Sequence, residues 1–193
     1  MDTDALVFLF FFFAFCGWVA ECIMESLVRQ RPVNKGFFKG PWVPVHGIGA
    51  LAVYGAAVPL KHSPLLVFSA GVIFCTLLEY AAALVLERGF NVKCWDYETY
   101  PFTRWCHYKK RIAFTTSVVF GLMTVGVVYV LWDAAQRLMI FLGPAAVRGI
   151  AFAFSVLFVI DALVTGRKYL RYKREGISVK HSNDFSDTPV YNK

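Results

Sequence analysis

Residues 5–28 read ALVFLFFFFAFCGWVAECIMESLV, and this stretch decides the class of fold. No charge interrupts it before Glu21, and Arg29 and Arg31 close it. About 20 predominantly apolar residues are what a helix needs to cross the ~30 Å hydrocarbon core of a bilayer. The apolar residues fall on every side of the helix, the pattern of a segment surrounded by lipid or protein. The four residues before the run carry two acids and no base, and no A-x-A site follows it. It therefore reads as a retained span and not as a cleaved signal peptide. Phe-Ala-Phe before Cys16 likewise argues against a lipoprotein cleavage site.

Outward from this run the same reading repeats, with further spans expected at about 44–60, 65–86, 112–132 and 143–166. The expected fold is all-α, a polytopic transmembrane bundle of five spans over residues 1–166. A basic tail, 167–193, is expected to be partly disordered. A composition 58% hydrophobic and 17% aromatic excludes an ordinary soluble domain. The second span is short and rich in Gly and Ala, which suits close backbone approach. The loop before it, 34–47, holds Gly36, Gly40, Pro41, Pro44 and Gly47 and cannot be a regular helix. Lys61-His62-Ser63-Pro64 is a tight connection that makes spans two and three antiparallel neighbours. The segment 87–111 mixes Trp95, Tyr97, Tyr100, Phe102, Trp105 and Tyr108 with charges, so it is expected to lie at the membrane interface or fold back on the bundle. Residues 133–142 are taken as the connection between spans four and five.

The net charge of +7 would suggest nucleic acid on a soluble chain. Here the positive-inside rule accounts for it, and no nucleic-acid partner is expected. Lys and Arg crowd the loops after spans one and three and the tail. Lys61 and Arg137 stand opposite, and Arg148 sits near the outer end of span five within snorkelling reach. This places the N-terminus outside and the C-terminus in the cytoplasm of a multi-pass cell-membrane protein. The cations of 167–174 would also attract anionic lipid.

Ionisable groups inside spans need a partner, water or a function. Glu21 and Glu25 share one face of span one. Glu79 and Glu87 lie in the cytoplasmic half of span three, Asp161 in that of span five, and His46 at the entry of span two. Their shared depth suggests a polar pocket open to the cytoplasm, floored by the Gly-Pro loop, with Arg111 as counter-ion. The simpler reading is that these acids pair with Arg111 and the loop cations only to fix packing. Cys16, Cys22, Cys75, Cys94 and Cys106 imply no disulfide framework, and Cys94, Cys106 and His107 lack zinc spacing, so no metal and no cofactor are expected. His62 and His181 are assigned nothing. No catalytic motif is present, although Glu79 and His46 could form an acid–base pair.

A set of ordered motifs carries a family likeness. Residues 15–22, the loop 34–47, Leu78-Glu79-Tyr80 with Leu86-Glu87, Trp95-Asp96-Tyr97 and Asp161 together resemble the ABC-transporter permease family called CmpB, which is related to the vertebrate transmembrane protein 229 group. The likeness runs from span one through span five. Its motif positions here are Glu21, Gly40, Pro41, Pro44, Gly47, Glu79, Glu87, Trp95, Asp96, Tyr97, Arg111 and Asp161. Where the family usually has Asn and Gly shortly before the arginine that opens span four, this chain has Lys109 and Lys110, and His46 stands where tyrosine is common.

The resemblance implies a permease-like component for a small solute or ion. No ATPase motif is present, so an ATP-driven cycle requires a separate ATP-binding subunit, and a bundle this small favours a homo-oligomer or a partner. A non-catalytic membrane scaffold or regulator is the second reading, and an intramembrane lipid enzyme the third.

Overall fold

The computed structural model describes residues 2–100, 102–180 and 188–191. Helix α1, Thr3–Arg29, ends where Gln30 turns left-handed and returns its N–H to the Ser26 carbonyl. After an irregular loop, α2 spans Pro44–Ala57 and tightens into a 3-10 turn, Val58–Leu60. Pro64 opens α3, Pro64–Phe90, at a position where its missing N–H is harmless, and Asn91 closes it left-handed. Helix α4, Phe114–Gly126, passes through a π-helical turn, Val127–Leu131, into α5, Trp132–Arg174. Among the described residues, three stretches are long and apolar enough to cross a membrane: Thr3–Arg29, Pro64–Phe90 and Phe114–Arg174. Helix dominates, and the strands are short.

The connection expected at 133–142 is helical instead. Those ten residues hold no Gly or Pro and include good helix formers such as Ala, Leu and Met. The break comes at Gly143, whose φ of 77° and ψ of 162° suit glycine alone, followed by Pro144. The chain reverses there. Before it, Trp132 stacks on Phe13 and Ala135 joins the cluster of Leu9 and Phe13. After it, Arg148 reaches Asp4 at 2.9 Å, Val147 and Ala151 pack on Phe8, and Phe154 and Phe158 lie against Phe11.

The remaining helices pack antiparallel in sequence order: Leu9 and Phe13 of α1 meet Ala50 of α2, Gly49 of α2 meets Leu78 of α3, and Thr76 of α3 meets Ser117 of α4. Glycines let the backbones close in. A Cβ on Gly17 would lie 2.3 Å from His46 Cγ, and one on Gly47 would lie 2.6 Å from the Phe10 carbonyl oxygen. Between α3 and α4, Gly71 faces Thr124, Gly121 faces Phe68 and Val72, and Thr76 Oγ1 bonds Ser117 Oγ at 2.8 Å. The outward faces are apolar: Ile140 and Phe141 are 81% and 86% exposed. A chain that buries polar groups and exposes such side chains has lipid as its solvent.

Two small sheets lie at the end of the bundle that holds the loops. Strands β2, His107–Tyr108, and β3, Ile112–Ala113, form a hairpin, and helix α4 begins after it at Phe114, where a span was expected from about 112. Among the described residues, part of the tail has regular structure. Helix α5 runs on to Arg174, and β4, Ile177–Lys180, pairs parallel with β1, Val92–Lys93, and antiparallel with β5, Thr188–Tyr191. Val92, Tyr169, Ile177 and Val179 make a small core under this sheet, and Lys173 Nζ donates to the Arg88 and Gly89 carbonyls at the C-terminus of α3. His181 lies outside the described residues.

Candidate functional site

Glu25 shows how the site is built. Its place on α1 turns it inward, where it is 3% exposed, and a bare carboxylate there would be costly. Arg29, one helical turn on, bonds it at 2.6 Å, Lys35 Nζ lies 3.4 Å away, and the Tyr100 hydroxyl donates at 3.1 Å. Lys35 also stands 3.6 Å from Glu21, whose Oε1 is 3.5 Å from His46 Nδ1. Burial by itself would lower the Lys35 pKa, but the charge of Glu21, with Tyr100 and Glu25, carries it above the ordinary lysine value. Lys35, one of the loop cations that could pair with the acids, is therefore the counter-ion of Glu21 and Glu25. Arg111, expected as a counter-ion for the acids, pairs with one of them: its Nε bonds Glu87 at 2.9 Å, and its guanidinium lies over the Tyr80 ring. Arg111 lies in the hairpin just before α4, within reach of Glu87 on α3, so that acid is its partner.

Glu79 is 6% exposed, and its one hydrogen-bond donor among the described residues is the Tyr97 hydroxyl, on Oε1. Burial first, then the charge of Glu79, raises the Tyr97 pKa well above the usual phenol range, so the phenol keeps its proton and donates. Among the described residues, Glu79 Oε2 is buried without a hydrogen bond, and His46 Nδ1 has only the 3.5 Å charge contact with Glu21. Such orphaned polar atoms are rare in proteins. Burial pushes the Cys94 thiol pKa up to about 12.

The three residues of Trp95-Asp96-Tyr97 divide the work of docking the loop. Trp95 Nε1 donates to the Arg111 carbonyl at 2.8 Å, Asp96 pairs with Lys93 at 2.6 Å and caps the Glu98 N–H at 3.1 Å, and Tyr97 reaches Glu79.

Asp161 stands apart from the other acids. Its carboxylate accepts from Gly40 N at 2.8 Å, Trp42 Nε1 at 3.0 Å, Lys39 N at 3.2 Å and Thr165 Oγ1 at 2.9 Å, so it clasps the Gly-Pro loop. Gly40 is needed beside it, because a Cβ there would lie 2.1 Å from the Trp42 ring. Gly36, at φ 147°, occupies another conformation that favours glycine. Pro41 and Pro44 bracket Trp42, and Pro44 starts α2.

The structure thus brings together Glu21, Glu25 and His46 around Lys35, joins Glu79 to them through Tyr97 and Tyr100, and leaves Glu87–Arg111 and Asp161 as separate clasps. Two surface cavities are described, about 590 Å³ beside Trp18, Leu27 and Pro32, and about 290 Å³ beside Val53 and Phe74. The predicted acids line neither. Among the described residues no group of His, Cys, Asp and Glu is arranged to hold a metal ion.

Residues 8–166 match the model of the family described as Putative ABC-transporter type IV, a span that includes every predicted site residue. No curated protein matches the chain, and no solved structure does.

Proposed function

The chain belongs to this ABC-transporter type IV family, and on that premise we propose that it is a multi-pass membrane component that moves a small solute or ion. In this reading it has five spans, at about 5–28, 44–60, 65–86, 112–132 and 143–166, with the N-terminus outside and the C-terminus cytoplasmic. The reversal at Gly143 supports that number. As one straight helix Phe114–Arg174 would run about 90 Å, some three times the hydrocarbon core. The tail cations would sit against anionic lipid.

One observation carries the proposal: Glu79 is a buried acid with an oxygen that has no hydrogen-bond partner among the described residues, and Tyr97 and Tyr100, whose rings lie 6.1 Å apart, link it to the cluster of Glu25, Lys35, Glu21 and His46. Polar groups of that kind cost several kcal/mol in a membrane interior, on the order of 2–4 each, and are commonly kept for a passing ligand. Glu79, His46, Glu21 and Lys35 would receive the solute, while the loops held by Tyr97, Tyr100 and Asp161 would close the cytoplasmic side. Any ATP hydrolysis would come from a separate subunit.

The test is flux. Proteoliposomes containing the full chain, alone and with any ATP-binding subunit that co-purifies, are assayed for H⁺, Na⁺ and K⁺ movement and for uptake of small polar solutes. Glu79→Gln should abolish flux, and Glu98→Gln, in an exposed loop acid, should not. Wild-type flux in Glu79→Gln would overturn the site. The scaffold reading has one observation in its favour: Lys35, Arg29 and Arg111 neutralise most of the acids internally. A stable complex with a partner and no flux of any solute would support it.

A further inference from the structure

The loop between α3 and α4 has two faces, and the cluster uses only one. Trp95, Tyr97, Tyr100 and Thr103 turn inward. Thr103 is buried with its hydroxyl on the Tyr97 carbonyl at 2.6 Å, which anchors a single helical turn in which Arg104 N bonds Tyr100 O at 3.1 Å. Phe102 and Trp105, three residues apart on the other side of that turn, are 82% and 81% exposed. The Arg104 guanidinium lies over the Trp105 ring at 4.5 Å, and Lys109 Nζ lies 5.2 Å from the Tyr108 ring centre. Among the described residues neither cation has an acidic partner.

Two further observations say what this face meets. The first is its level. Phe114 N bonds the Cys106 carbonyl at 2.9 Å, so the turn sits beside the first residue of α4, and its exposed rings continue into Phe114, Val119 and Leu122 on that helix's outward face. The second is backbone strain. Lys109 and Lys110 form the hairpin turn at φ 50° and 62°, a conformation that Asn and Gly adopt readily and that costs a lysine of order 1–2 kcal/mol. The chain accepts that cost and places an unpaired cation beside the aromatic face.

Amphipathic rings at the end of an apolar helix, flanked by cations without acids, match the headgroup layer of a negatively charged leaflet. We propose that the outer edge of the 102–114 segment is a membrane-surface anchor. Phe102 and Trp105 enter the headgroup–acyl boundary, and Arg104 and Lys109 lie on the phosphates of anionic phospholipid. The loop that covers the acids would then be held to the bilayer on one side and to Glu79 and Glu25 on the other.

Tryptophan fluorescence of the full chain in vesicles tests this, with the Trp105 signal taken as wild type minus Trp105→Phe. Lipid brominated near the top of its acyl chains should quench that signal, and aqueous acrylamide should not. A second variant, Phe102→Trp with Trp105→Phe, should behave the same way. With equal amounts of zwitterionic and anionic lipid, bromine on the anionic lipid should quench more. Arg104→Gln with Lys109→Gln should reduce that preference, by up to roughly fivefold per cation removed. Quenching by acrylamide but not by brominated lipid would place the rings in water and overturn the anchor. Quenching by neither would place them in a protein contact, such as one with a second copy, and would overturn it as well. Equal quenching by both lipids would refute the anionic preference.

Discussion

Asp161→Ala should release the Gly-Pro loop from the bundle, and the size of the effect follows from what the carboxylate holds. Of its four donors, Thr165 sits one turn along the same helix and can turn to another acceptor, and the Lys39 N–H is exposed enough to find water. Two donors have no such exit. Trp42 Nε1, at 3.0 Å, belongs to a side chain buried among Phe11, Phe154 and Phe158, and Gly40 N, at 2.8 Å, lies beneath the same ring. A buried donor left unsatisfied costs ~1–3 kcal/mol, so two of them amount to roughly 2–6 kcal/mol, with about 3 kcal/mol expected because the loop can relax. Asp161→Asn keeps one acceptor oxygen and turns an NH₂ toward a donor, so about half the loss should appear. Amide hydrogen exchange in detergent micelles reads this locally. A loss of about 3 kcal/mol corresponds to roughly 100-fold faster exchange across residues 36–43, with the peptides of α3 unchanged. Unchanged protection at Gly40 in Asp161→Ala, in a variant with wild-type helix content, would refute the clasp.

Other consequences are open to similar checks. Gly17→Ala and Gly47→Ala should each lower the detergent melting midpoint by an amount equal to ~1–3 kcal/mol of overpacking. Gly55→Ala and Gly149→Ala, whose added Cβ would meet no atom within 4 Å, should not lower it, and equal behaviour of the two pairs would undo the close-approach account. Lys109→Asn with Lys110→Gly should raise the same midpoint by about 1 kcal/mol through relief of the left-handed turn, and a fall would contradict it. Cys94, whose thiol pKa is pushed up to about 12 by burial and nearby acids, is almost wholly protonated at pH 8, with about 10⁻⁴ as thiolate. It should resist maleimide in the native protein and react on unfolding. Rapid labelling of Cys94 at pH 8 before unfolding would show that the small core around Val92 and Tyr169 does not cover it.

The site was legible as a set of residue types and hidden as a set of partners. Glu79, Glu25 and His46 stand out in sequence because an ionisable group within an apolar run is improbable without a reason. Lys35 does not, since a loop lysine next to Gly36 looks like any topology charge until the loop folds back over α1. Arg111 was legible as a counter-ion by position, and only the packing decided that Glu87, among the candidate acids, is the one it meets. Asp161 shares the depth of the other acids and still joins none of them, because the nearest unpaired donors belong to Gly40 and Trp42, more than a hundred residues away in the chain.

What the amino-acid sequence determined by itself is the apolar helical character of the chain and the approximate extents of its helices. A segment's transfer into lipid and its propensity for helix depend on its own residues. Helix boundaries such as Arg29, Pro64 and Pro44 follow from the same local chemistry. Only the tertiary structure decided that 133–142 continues as helix up to a reversal at Gly143, that the tail returns as a strand beside Val92, and which acid meets which base. Those outcomes depend on groups brought together from distant parts of the chain. A buried charge takes as its partner whichever donor the packing leaves within about 3 Å, and no local pattern states that distance.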